Sequence, residues 1–166
     1  MKEEVRAPAA QGGPEDGVRL VCFRVRGQEL GIAIEAVRET IRMRPITRVF
    51  LTPGWLLGIF SLRGEILPAV DLSPWLGTGR TMVGEESRLV VLRRGGGGVG
   101  VVADELAELR VLPREEIAAP PPTLSAEQAG VISGVAATET GTVRILDAKA
   151  LLGSARMLSI GRAGAE

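Results

Sequence analysis

From Val18 onward the chain reads as short apolar runs with a period of two, cut by glycines, prolines and isolated charges. That is the signature of strands and tight turns, not of helices. The pattern predicts a strand over Val18 to Val25, a turn at Gly27-Gln28 and a second strand over Glu29 to Ile34. Glu35 to Glu39 reads as one helical turn, and Thr40 to Val49 as an extended segment broken by Pro45. Residues 58–72 then give two apolar runs, Gly58 to Leu62 and Ile66 to Val70, around an Arg63-Gly64 turn. This is a hairpin that closes on Asp71. Ser73-Pro74-Trp75-Leu76-Gly77 follows as a short helical piece ending on glycine, and Gly77 to Glu86 as a linker.

The second half repeats the first. Leu20 to Met43 aligns with Leu89 to Leu112 without a gap, with apolar positions coinciding at Leu20/Leu89, Phe23/Leu92, Ile32/Val101 and Val37/Leu106. Gly58 to Gly77 aligns with Gly134 to Gly153, pairing Ile59/Val135, Val70/Leu146 and Asp71/Asp147. A repeat of this length implies two similar units of about five strands each. Units with so many short strands close most easily as small barrels. The predicted organisation is a disordered lead over 1–17, a folded region over 18–153 and a tail over 154–166. The folded region divides into units of about 18–84 and 85–153. Pro120-Pro121-Pro122 is an extended connector inside the second unit.

Composition narrows the function classes. The 166 residues carry 20 basic and 20 acidic side chains, so net charge is zero. A nucleic-acid surface needs a basic excess, and none is present. No apolar run approaches the roughly 20 residues of a membrane span, and the N-terminus lacks the apolar stretch of a signal peptide. Cys22 is the sole cysteine, which excludes an internal disulfide. These absences predict a cytoplasmic protein. There is no histidine, hence no imidazole base and no His metal ligand.

The Gly95 to Gly98 run lacks the Gly-Lys-Ser/Thr of a phosphate loop and joins strand to strand, so it reads as a hairpin turn. Glu85-Glu86 and Glu115-Glu116 read as solvated loop charges, because neighbours in a strand point to opposite faces. Without histidine, activating Cys22 or Ser61 would need a lysine or a carboxylate, and Lys149 is the sole lysine of the folded region. No catalytic residue, metal ligand or cofactor is therefore predicted. Asp71 and Asp147 precede helical pieces in both copies and read as N-caps worth roughly 1 kcal/mol each. Val37 is apolar in both copies, which fits core packing, although exposed apolar positions on small barrels also form docking patches. Arg63 differs. Its counterpart in the second copy is Glu139, so a positive charge at that corner is not a demand of the hairpin. A guanidinium on a rigid turn suits a partner's carboxylate or carbonyl groups.

These residues resemble those of the CheW-like coupling proteins of bacterial chemosensory arrays. The carriers are Leu20-Val21-Cys22-Phe23-Arg24-Val25, Leu30-Gly31-Ile32-Ala33-Ile34, Val37-Arg38-Glu39, the Thr47 to Pro53 segment, Ser61-Leu62-Arg63-Gly64 and Pro68-Ala69-Val70-Asp71-Leu72. Ser61 and Ala69 depart from the family's Asn and Val. The resemblance implies an all-β fold with short helices, two intertwined five-stranded SH3-like barrels, and no catalytic activity. It implies an adaptor that joins a chemoreceptor's cytoplasmic tip to the regulatory domain of a CheA-type histidine kinase. By position, Arg63, Gly58 and Glu39 would lie at the receptor contact. Val21, Ile34 and Val37 would lie on the strand surface used against the kinase. A second kinase contact would fall near Ile117 to Leu124, where Pro120 to Pro122 depart most from the family. The same module would equally serve a chemosensory pathway controlling surface motility or gene expression. Outside the family, a small-ligand barrel would need convergent polar groups at its mouth, and the sequence shows none.

Overall fold

The computed structural model describes residues 17–165. All of the predicted lead except Gly17 lies outside the described residues. Among the described residues eleven strands form two sheets: β1 (Gly17–Val25), β2 (Gln28–Ala33), β3 (Val37–Arg42), β4 (Leu56–Leu62), β5 (Glu65–Val70), β6 (Arg88–Arg94), β7 (Gly97–Ala103), β8 (Glu105–Leu106), β9 (Arg110–Pro113), β10 (Ile132–Thr138) and β11 (Gly141–Leu146). Among the described residues four helices are short or peripheral: α1 (Ser73–Leu76), α2 (Ala126–Val131), α3 (Ala148–Leu152) and α4 (Ala155–Ala165). The fold is all-β with short helices, as the pattern predicted. The turn in the first hairpin falls on Arg26-Gly27, one residue earlier than expected, because both residues adopt positive φ (54° and 81°). The predicted turn over Glu35 to Glu39 is a 3-10 turn over Ile34–Ala36, and β3 begins at Val37.

The sheets do not follow the order of the two repeats. One runs β10-β11-β2-β1-β8, with β9 also paired to β1; the other runs β3-β6-β7-β5-β4. Each repeat gives its first hairpin to the other sheet. The joints are two parallel pairs, β11 with β2 and β5 with β7, among otherwise antiparallel neighbours. An isolated bridge closes each sheet on itself. Thr47 and Ile59 exchange N–H···O bonds of 2.8 and 2.9 Å, as do Ala118 and Val135. These bridges bring the outer strands of each sheet back together, and each sheet draws strands from both repeats.

Burial explains why β1 is apolar at nearly every position. Leu20 and Cys22 face a small core with Leu112, Val143 and Ile145. Val21, Phe23 and Val25 face the main core between the sheets, with Leu30, Ile32, Trp75, Leu92 and Val101. Two-sided burial yields a continuous apolar run, not an alternating one. The second sheet has its own small core of Phe60, Leu62, Leu67, Leu89 and Val102. Trp55 and Trp75 meet edge to face with ring centroids 5.1 Å apart. The predicted tail carries α4, whose Met157 and Ile160 join the main core.

Candidate functional site

The β4–β5 hairpin positions the charged corner. Its strands pair from Leu56↔Val70 to Leu62↔Glu65, and Arg63 (φ 49°) and Gly64 (φ 85°) make the connection. Two consecutive left-handed residues match the twist of a two-residue hairpin. Glycine and asparagine suit that conformation; a longer L-residue pays about 1–2 kcal/mol to adopt it. The guanidinium folds back on β3, donating to Glu39 Oε2 at 2.6 Å and Oε1 at 2.8 Å. These bonds hold the Glu39 carboxyl below its usual pKa, with Arg38 and Arg44 adding a smaller pull. The Arg63 side chain is still 65 % exposed. A bidentate pair uses two of its five N–H donors, leaving three for a partner. Arg38 donates to Glu65 at 2.9 Å, so charges of alternating sign surround the corner.

The second copy does not share this corner's backbone. In the β10–β11 turn the positive φ falls on Gly141 (143°), not on Glu139 or Thr140. Glu139 therefore shows that a hairpin forms there with an acid, but not in the Arg63 conformation.

Gly58 has a role of its own. It sits at the bulge in β4 with φ +145°, and a Cβ there would lie 2.2 Å from the Thr47 carbonyl oxygen. That carbonyl belongs to the closing bridge. Its repeat mate Gly134 is equally confined, with a Cβ meeting Ile117 at 2.7 Å and the Ala118 oxygen at 3.0 Å. The glycine thus answers a demand of barrel closure in both copies. Beside it, a groove of about 420 Å³ is lined by Arg44, Pro45, Thr47, Ile59, Arg63 and Ile66, of which Ile66 is 62 % exposed.

The second set of predicted residues lies around the start of β3. Val21 and Val37 are each 9 % exposed and belong to the main core; Ile34 is partly buried against it. All three belong to or pack on the same large core, and Ile34 is the most accessible of them.

The remaining candidates resolve as structural. Burial pushes the Cys22 thiol up to about 12, with the Glu29 carboxylate adding to the effect, so the sulfur is an inert core atom. Asp147 is the expected N-cap, accepting the Ala150 N–H at 3.0 Å. Asp71 is not. It is 2 % exposed and lies before Leu72, which holds the cap position. Its Oδ1 accepts from the Ser73 N–H (3.0 Å), the Ser73 hydroxyl (2.6 Å) and the Thr81 hydroxyl (2.8 Å), and its Oδ2 from the Thr81 N–H (2.9 Å). It ties α1 to the linker that follows. Of the Gly95 to Gly98 run, Gly95-Gly96 make the predicted turn between β6 and β7, whereas Gly97 and Gly98 are already in β7, paired with Arg94 and Arg93. Among the described residues no three His, Cys, Asp or Glu side chains converge to hold a metal, and no helix is long and apolar enough to cross a membrane.

The model of the CheW-like domain matches residues 19–156. The chain belongs to the CheW-like domain family. It is 36 % identical over 159 residues to Protein FrzA of Myxococcus xanthus, covering 95 % of this chain and 98 % of that one. It is 25 % identical to the chemotaxis protein CheW of Bacillus subtilis over 82 % of this chain and 87 % of the relative. The scaffolding protein TtCheW of Thermoanaerobacter tengcongensis superposes with a TM-score of 0.71 at 27 % identity, covering 79 % and 89 % of the two chains. Membership places the chain among chemotaxis-type scaffold proteins.

One feature escaped the sequence reading. The loop between β3 and β4 carries Phe50 at 92 % and Leu51 at 104 % exposure, and Leu51 has φ +62°. In sequence this stretch resembles any apolar strand end. Only its conformation shows that the side chains point outward.

Proposed function

We propose that this chain is a non-catalytic adaptor that couples a chemoreceptor's cytoplasmic tip to the regulatory domain of a CheA-type histidine kinase. Arg63 makes the receptor contact, Glu39 aims it, and Gly58 holds the barrel closed behind it. Ile34, backed by Val21 and Val37, meets the kinase. The observation that carries this reading is the Arg63 corner. A guanidinium held by a bidentate carboxylate, mostly exposed, sits on a left-handed residue where Asn or Gly would cost less. Strain retained at an exposed corner, with donors to spare, fits a binding role. Coupling then follows if the adaptor's contacts differ between receptor signalling states.

The test is Arg63→Glu beside Arg63→Asn. Both should stay folded, because an exposed ion pair contributes only about 0–1 kcal/mol and Asn favours the left-handed turn. Both should lose receptor co-sedimentation by about tenfold or more, keep kinase binding, and fail to stimulate kinase autophosphorylation in the three-component assay. Unchanged receptor binding by either variant overturns the assignment.

A further inference from the structure

Each sheet has a seam where its outer strands meet, and the two seams are latched differently. Between β3 and β4 the Thr47–Ile59 bridge is supported by the ion pair of Glu39, on β3, with Arg63 at the β4–β5 tip. Between β9 and β10 the Ala118–Val135 bridge stands at the corresponding place. The repeat, however, puts Glu108 where Glu39 is and Glu139 where Arg63 is. Two carboxylates repel and cannot latch the second seam. Both line an open groove of about 680 Å³ there, with Leu109, Val111, Ala137 and Thr138; the groove beside the latched seam is about 420 Å³. The backbone facing the larger groove is open as well. Val135 spends its N–H and C=O on Ala118, so it points away from β11, and two residues on Ala137 points the same way. On the other side, the Cys22 carbonyl accepts the Ala107 N–H at 2.9 Å. By alternation Leu20 and Val18 then turn toward β9 and bond to their partners Arg110 and Leu112. Val111, between those two, faces away from β1 and into the seam. Among the described residues, neither Val111 nor Ala137 takes part in a backbone bond that joins turns, loops or bridges.

The groove is acidic on balance. Arg110 also lines it, but its side chain is 14 % exposed and donates to both carboxylate oxygens of Glu29, at 2.9 and 3.4 Å. Glu108 is 71 % exposed and reaches Arg110 only at 3.5 Å. Glu139 has no ion pair among the described residues. Arg144, on β11, is bonded to Gln28, and Arg114, past the end of β9, is followed by Glu115 and Glu116. We infer that the β9–β10 seam receives a short extended segment of a partner protein that carries an arginine. The segment's backbone bonds to Val111 and Ala137, and its guanidinium lies between Glu108 and Glu139. The first seam shows what fits, because there the chain's own guanidinium holds the equivalent carboxylate in a bidentate pair. Strand addition at an open edge supplies affinity through main-chain bonds, and a side-chain site supplies specificity. The surface is separate from the Arg63 corner and does not depend on the receptor assignment.

The probe is a fluorescein-labelled peptide of roughly eight residues, alternating valine and threonine around one central arginine, as suits an extended strand. One control carries glutamate at the centre; a second keeps the arginine but has N-methylated backbone amides beside it. Fluorescence anisotropy should show binding of the arginine peptide to the full chain, and binding of each control weaker by about tenfold or more. Amide hydrogen exchange at Val111 and Ala137 should slow when the arginine peptide binds. Glu139→Arg is the decisive variant. Its exposed turn position leaves the fold intact, and it supplies across the second seam the latch that the first already has. It should weaken peptide binding by about tenfold or more and slow exchange at Val111 and Ala137 with no peptide present. Glu108→Gln/Glu139→Gln should weaken binding without that slowing. The inference is overturned if the arginine peptide fails to bind, if either control binds as well, or if Glu139→Arg binds undiminished. It is also overturned if binding leaves exchange at Val111 and Ala137 unchanged, or if Glu139→Arg alters only self-association in sedimentation velocity.

Discussion

Asp71 and Asp147 occupy the same place in the two repeats, yet removing them should have different consequences. Asp147 is exposed and accepts one backbone N–H, so Asp147→Ala should cost about 1 kcal/mol, the worth of an N-cap. Asp71→Ala strips acceptors from two backbone N–H groups and two hydroxyls, all within a site 2 % exposed. Each buried donor left without a partner costs about 1–3 kcal/mol. The two hydroxyls, 3.2 Å apart, can recover part of this by bonding to each other. A net loss of about 3–5 kcal/mol follows. For a chain of this size that lowers Tm by roughly 6–20 °C, at about 2–4 °C per kcal/mol. The acid titration gives a second handle. Burial alone would raise the Asp71 carboxyl, but the bonds from Ser73 and Thr81 outweigh it and hold the pKa low. A carboxyl depressed on folding stabilises the native state above its unfolded pKa of about 4, and that stability is lost as pH falls through the folded value. The assay is urea unfolding followed by Trp fluorescence, from pH 7 down to pH 2, on the wild type and both variants. The wild-type midpoint should fall more steeply below about pH 4 than that of Asp71→Ala. Equal losses for the two aspartates at pH 7 would refute the reasoning.

Two further outcomes are expected. Gly58→Ala should unfold the barrel or lower its stability by more than about 4 kcal/mol, because the methyl would overlap the Thr47 carbonyl; Gly64→Ala, with open space at its Cβ, should lose only about 1–2 kcal/mol. Circular dichroism and urea midpoints measure both, and a folded Gly58→Ala with receptor binding selectively lost would make Gly58 a contact residue instead. Cys22 should resist a thiol reagent such as dithionitrobenzoate at pH 8 until the chain is unfolded. With its pKa pushed to about 12, roughly one molecule in 10⁴ carries the thiolate; prompt labelling of the native protein would contradict its burial.

Much of this architecture is legible in the sequence because the repeat and the period-two runs are local signals. The hairpin over 58–72, the short helix ending at Gly77 and the duplicated strand order all follow from them. The exchange of first hairpins does not, because β2 pairs with β11 across more than a hundred residues and no local pattern encodes that choice. Asp71 shows a subtler limit. Its position before a helical piece suggests a cap, whereas its actual role depends on Thr81 returning from the linker. At the candidate site, Arg63 was visible as a charge among aliphatics. Its bidentate partner Glu39 and its left-handed backbone are tertiary facts. Gly58 was identified by position, but the reason for it emerged only with the bridge to Thr47. Phe50 and Leu51 were silent, since an apolar residue in sequence is presumed inside until a loop turns it out.

The exchange of hairpins also bears on how such a chain could arise and be made. One repeat alone would leave its first hairpin projecting, with no β5-type strand of its own beside it; two copies would satisfy each other by trading hairpins. The present molecule has the arrangement of such a swapped pair joined into one polypeptide. Fusion frees the two halves to diverge, since a symmetric dimer must carry every substitution on both faces. The arginine at one hairpin tip and the glutamate at the other are that freedom in use. On the ribosome, the strands of the β3-β6-β7-β5-β4 sheet are complete once Ala103 has emerged. The opening hairpin must wait for β11, near the end of synthesis, before its sheet can form.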